Sequence, residues 1–144
     1  MISELVIFEN EEIYHLIPQR PPIVMVDVVW SATENNAETG LTVNADNMFV
    51  RDGLFREPGI IEHIAQSAAA FAGYGTYVRG EKPRLGYIGE IKSCTFHTLP
   101  PVGSELRTTI QLIAEVKGIS LVSAQTTIGD MPVAECQMKI FIKE

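Results

Sequence analysis

The chain has 144 residues and a mass of 15.9 kDa, with 46% hydrophobic and 20% charged residues, which suits a single domain over 1–144 with a real core. A formal net charge of -7 and a pI near 4.9 argue against a nucleic-acid partner, because phosphate backbones are held by positive surface. No apolar run approaches the ~18 residues of a membrane span, and the acidic start MISELVIFENEE has no secretory n-region, so a cytoplasmic protein with no membrane partner is expected.

Residues 9–17 (ENEEIYHLI) predict a short amphipathic helix, with Asn10 as cap, Glu11 and Glu12 at its positive end and Pro18 as its stop. Gln19-Arg20-Pro21-Pro22 is an irregular connector. The β-branched run IVMVDVVW (Ile23 to Trp30) predicts a strand buried on both faces. A polar turn at Glu34 to Asn36 leads to a second strand from about Ala37 to Asn44, and residues 45–57 form a loop with scattered aromatics.

The stretch PGIIEHIAQSAAAFAGYGTYVRG, residues 58–80, predicts the central element, a helix over about 59–78. Pro58 is suited to open it, and the run of alanines gives it high helix propensity. A helix this apolar on nearly all sides is a buried one. Glu62 stands out as a carboxylate in the first turn of that helix, which makes it the candidate acid or base. Gln66 lies one turn on, where it either orients Glu62 or has its amide satisfied by backbone. Gly59 lies among the first helix N–H groups, which lack intrahelical partners, and serves either as an anchor for a carbonyl oxygen or as a plain helix start.

Beyond a turn at Gly80 to Pro83, Arg84 to Thr98 predicts a long strand interrupted near Gly86 and Gly89. Three alternating strands follow, Ser104 to Val116, Ile119 to Ile128 and Met131 to Ile142, joined by Lys117-Gly118 and Gly129-Asp130 as an antiparallel meander. Leu106, Thr108, Ile110, Leu112, Ala114 and Val116 are expected on one face of the first, and Ala134, Cys136, Met138, Ile140 and Ile142 on one face of the last. The two cysteines, Cys94 and Cys136, are too few for a disulfide framework or a metal site and are expected to be buried thiols. Strands on both sides of one apolar helix define an α+β domain with the sheet wrapped around it.

PGIIEHIAQSAAAFAGY resembles the central-helix motif of hotdog-fold 3-hydroxyacyl-[acyl-carrier-protein] dehydratases, in which Pro-Gly precedes Glu-x-x-Ala-Gln. IYHLIPQRPPIVMVDVV is similar to the same family's Leu-Pro-His-Arg-x-Pro block and the strand after it, and RLGYIGEIKSCTFHTLPPVGSEL to its strand, Pro-x-Gly turn and next strand. The likeness covers residues 11–142 and is strongest to the divergent dehydratase-like subunits of aryl polyene and related pigment pathways. It implies a hotdog fold, a homodimer or hotdog heterodimer, and an acyl carrier protein or CoA thioester as partner. No metal and no cofactor of its own is implied, the acyl group being carried on phosphopantetheine. Glu62 carries over as the catalytic carboxylic acid, with Gly59 and Gln66 as oxyanion and substrate-binding positions. An acyl tunnel along the helix is implied, for which Phe49, Phe55, Ile60, Ile61, Ile64 and Phe71 are the expected lining.

The chain departs from the family in two places. Where the family carries a catalytic His-Phe-Pro-Gly element, NMFVRDGLFREPG has no histidine, and the His of the Pro-His-Arg block is Gln19. The histidines left to substitute are His15, His63 and His97; His63 adjoins Glu62, but neighbouring helical positions point ~100° apart. Arg51, Arg56, Arg79, Lys82 and Arg84 flank the helix as an ordinary solvated surface or a docking patch for phosphate or an acidic carrier. Three functions are therefore expected alternatives: dehydratase, hotdog thioesterase, or a catalytically incomplete subunit of a hotdog heterodimer.

Overall fold

The computed structural model describes residues 6–81 and 86–142. In chain order the elements are β1 (Phe8–Glu9), a 3₁₀ helix (Asn10–His15), β2 (Val28–Ala32), β3 (Asn36–Thr42), β4 (Val50–Arg51), β5 (Leu54–Phe55), α1 (Glu57–Val78), β6 (Gly86–Phe96), β7 (Glu105–Val116), β8 (Ile119–Ile128) and β9 (Met131–Ile142). Seven strands make one antiparallel sheet in the order β1-β2-β3-β7-β8-β9-β6, and β4-β5 is a separate hairpin. The sheet packs around α1, as the α+β expectation requires. Among the described residues no helix is long and apolar enough to cross a membrane.

Two packed regions hold α1. Ile60, Ile64 and Ala68 join Met25, Phe55, Leu106, Ile110, Val122, Ala124, Val133 and Met138 in the main core. Ala70 joins Phe8, Ile13, Leu16, Ile17, Val26 and Val29 under the N-terminal segment. Gly73 is what allows that second contact to be so close: a Cβ there would fall 1.9 Å from the Leu16 carbonyl oxygen.

Several expected boundaries move, for identifiable reasons. The N-terminal helix is 3₁₀, its cap is Glu9, and Asn10 takes a positive φ of 53°. The Glu9 N–H donates to Glu12 Oε1 at 3.0 Å, so the turn is closed from inside. The strand expected from Ile23 begins only at Val28, because the backbone before it bonds to side chains of α1. The loop over 45–57 contains the β4-β5 hairpin. β7 keeps its alternation through Leu112, then a register shift between Leu112 and Ala114 breaks it. Ala114 and Val116 are consequently exposed, Val116 at 64%.

On β9, Ala134, Cys136, Met138 and Ile140 are buried as expected, while the Ile142 side chain and residues 82–85, with Lys82, Pro83 and Arg84, lie outside the described residues. Cys94 and Cys136 are direct cross-strand partners and both are free thiols. Burial, then the adjacent Cys94, pushes the Cys136 thiol up to about 12, and burial raises Cys94 as well. Both stay protonated near neutral pH.

Candidate active site

One face of α1 is built of small residues around a carboxylate. Glu62, Ala65, Ala69, Ala72 and Thr76 recur at intervals of three and four, so they share a stripe, and all five line a cleft of about 740 Å³. The short side chains leave the volume empty. Gln19 from the connector, Thr33 and Glu34 from the β2-β3 turn, and Glu115, Ser120, Val122 and Ile140 from the sheet complete the walls. At the sheet wall the Ser120 hydroxyl donates to Glu115 Oε2 at 3.3 Å. Glu62 is half-buried, and none of the ion pairs among the described residues involves it.

The cleft is not where the sequence expectation placed the acyl lining. Ile60, Ile64 and Phe55 are fully buried core, and Phe49 packs on that core with its ring edge-on to Phe55 at 6.5 Å. Ile61 is half-buried and outside the cleft; of the six named residues only Phe71 lines it. The alanines at 65, 69 and 72 line the cavity in their place.

Gly59 and Gln66 are likewise placed otherwise. The Gly59 N–H already donates to the Arg56 carbonyl at 2.9 Å and is no free oxyanion donor. Glycine is needed there because a Cβ would lie 2.5 Å from Phe49 Cβ and 2.6 Å from the Phe55 ring. Gln66 is fully buried; its Oε1 accepts the Met25 N–H at 2.6 Å and its Nε2 donates to the Ile23 carbonyl at 2.7 Å. It fastens the irregular 23–25 segment to α1 and does not orient Glu62. Gln66→Leu leaves the buried Met25 N–H and the part-buried Ile23 carbonyl unpaired and is expected to cost about 2–4 kcal/mol in a denaturant titration.

None of the three histidines reaches the cleft. His63 is fully buried on the sheet side of α1. Its Nδ1 lies 2.7 Å from the Met25 carbonyl and its Nε2 2.8 Å from Thr108 Oγ1. A carbonyl only accepts, so Nδ1 carries the proton, the Thr108 hydroxyl donates to Nε2, and Thr126 donates to Thr108 at 2.6 Å. The Thr39 hydroxyl bonds Ser67 Oγ, which donates to the His63 carbonyl, each at 2.7 Å. Burial lowers the His63 pKa to about 4, against a smaller opposing effect of the Met25 carbonyl. His63 is a neutral structural residue. His15 stacks at an angle on Tyr77, 5.9 Å between centroids, and His97 lies 3.9 Å from Glu135.

Of the flanking basic residues, Arg56 and Arg79 are engaged locally. Arg56 donates to the Arg51 carbonyl at 2.7 and 3.0 Å and lies 3.6 Å from Asp52; Arg79 bonds Glu81 at 3.2 Å.

A seven-stranded antiparallel sheet wrapped around one long helix defines the hotdog fold class. The chain matches the profile of the ApeP-like family, described as ApeP dehydratase, over residues 11–144, and it belongs to that family. It is 30% identical over 138 residues to the 3-hydroxyacyl-[acyl-carrier-protein] dehydratase FabZ of Clostridium botulinum (strain Loch Maree / Type A3), covering 91% of this chain and 93% of that protein. It is 29% identical over 136 residues to FabZ of Lactiplantibacillus plantarum, covering 86% of each. Among solved structures it is similar to the dehydratase heterocomplex ApeI:P from Xenorhabdus doucetiae, with a TM-score of 0.85, 17% identity and coverage of 92% of this chain and 91% of that one. At that identity the likeness shows the hotdog fold.

Proposed function

We infer that this chain supplies the carboxylic acid of a dehydratase site acting on 3-hydroxyacyl thioesters presented on a phosphopantetheine arm, of acyl carrier protein or of CoA. The observation that carries this is Glu62, half-buried and with no ion pair among the described residues, on the wall of a cleft that no histidine borders. Dehydration needs a base for the C2 proton and an acid for the C3 hydroxyl. Glu62 protonates the departing hydroxyl, and the base comes from a histidine of a second hotdog subunit. That the similar ApeI:P structure is a heterocomplex supports a paired arrangement. The alanine-lined cleft takes the acyl chain, and no cofactor beyond the substrate's own phosphopantetheine takes part.

The missing histidine also favours a second reading, hydrolysis, since a lone carboxylate suffices to activate water. Product identity separates the two. With 3-hydroxyacyl carrier protein as substrate, mass spectrometry is expected to show loss of 18 Da on an intact carrier thioester, the mass of one water. Release of free 3-hydroxy acid would instead establish a thioesterase.

A further inference from the structure

Gln19 is one of the polar side chains of the cleft that the reaction above leaves unused. Among the described residues, its Oε1 is the buried side-chain nitrogen or oxygen with no hydrogen-bond partner. Half a turn about Cγ–Cδ would merely exchange the carbonyl for the NH₂ group and strand a donor there. The backbone carrying it is held firmly. Arg20 Nη1 donates to the carbonyls of Ile17 and Gln19, each at 2.8 Å, and its guanidinium lies 4.5 Å over the Tyr14 ring. Pro18 precedes Gln19, Pro21 follows Arg20, and the Leu16 carbonyl lies against Gly73 of α1. A fixed backbone therefore holds a residue with an unsatisfied amide oxygen in the wall of the cleft that Glu62 also lines. A buried polar group left unpaired lowers the stability of the empty protein, and a ligand that pairs it recovers the loss.

We propose that Gln19 holds the 3-hydroxyl group of the substrate, by rotation of its carboxamide toward the cleft; this rests on the dehydratase reading. As the C2–H bond breaks, its electron pair forms the C2=C3 double bond and the proton passes to the base of the second subunit. The C3–O bond breaks with its pair on oxygen, which takes the proton of the Glu62 carboxyl and leaves as water. The hydroxyl's own hydrogen stays on that oxygen throughout and needs an acceptor. Gln19 Oε1 is that acceptor, and being a neutral amide it neither gives nor takes a proton in competition with Glu62.

The test uses Gln19→Leu, close in size but apolar, in the full chain in whatever assembly it purifies. Two non-scissile ligands are compared by calorimetry, a 3-hydroxyacyl pantetheine amide and the same compound lacking the hydroxyl. Wild-type protein is expected to bind the hydroxylated compound roughly tenfold more tightly, about the worth of one hydrogen bond. Gln19→Leu is expected to bind both alike, with the affinity for the unhydroxylated compound unchanged, and to melt about 3–5 °C higher when empty. Retention of the tenfold preference in the variant, no preference in wild type, or a lower Tm would each overturn the assignment. Wild-type protein that binds neither compound would defeat the dehydratase reading itself and take this inference with it.

Discussion

Glu62→Gln is expected to lower enoyl formation from a 3-hydroxyacyl thioester by about 10²–10⁴-fold, the usual worth of a positioned general acid. Glutamine keeps the shape and polarity of the side chain but has no proton to give to the departing hydroxyl. Glu62 is half-buried and none of the ion pairs among the described residues involves it, so the exchange breaks no packing or charge pair. Far-UV circular dichroism and Tm should therefore match wild type, which separates loss of chemistry from loss of fold. Loss of kcat with KM little changed is the expected pattern for a group that acts in the transition state. Unaltered turnover in a well-folded variant would remove Glu62 from the mechanism.

The second large effect is on stability and runs through His63. Its pKa falls from the ordinary 6.5 to about 4 in the folded protein. The unfolded chain therefore binds the proton first as pH drops. The His63 contribution is fully present above pH 6.5 and is lost between 6.5 and 4, to a total of about 3 kcal/mol. Asp27 works in the opposite sense at the acid end. Burial raises its carboxyl pKa above 3.8, so its contribution is present below that value and lost as pH rises through the folded one. Denaturant titrations at intervals from pH 7.5 to 4 should show the fall in wild type. In His63→Gln, which cannot titrate there, the protein is less stable throughout and the pH 6.5 to 4 fall should shrink by that amount. An equal fall in both would show that His63 is not its source.

The parts of the fold legible in the sequence are those governed by local chemistry. Alternation and short glycine turns set β7, β8 and β9, and Pro58 with the alanine run set α1, because each signal lies within a few residues. The strand expected over Ile23 to Trp30 fails for a reason no local pattern carries: the Met25 backbone is claimed by Gln66 and His63 from 38 to 41 residues away. The β7 bulge has no composition signal either, and it exposes Ala114 and Val116.

The sequence singled out Glu62, which lines the cleft, but not the shape of that cleft. A helix apolar on all sides does not announce which apolar face is filled and which borders a cavity. Large side chains drew the tunnel to Ile60, Ile64, Phe49 and Phe55, yet these are large because they fill the core. The signal that would have found the cleft is the spacing of small residues at 65, 69, 72 and 76 in register with Glu62. Gly59 misled in the same way, its missing side chain making room for Phe49 and Phe55 rather than for a substrate.

The division of the site between two subunits is tested most directly by reconstitution. Enoyl formation from 3-hydroxyacyl carrier protein is followed for this chain alone, for a histidine-bearing hotdog subunit alone, and for the two combined, with Glu62→Gln in a parallel mixture. The expected result is little turnover by this chain alone, high turnover by the pair, and loss of that gain with Glu62→Gln. High turnover by this chain alone, or a mixture that works equally well with Glu62→Gln, would contradict it.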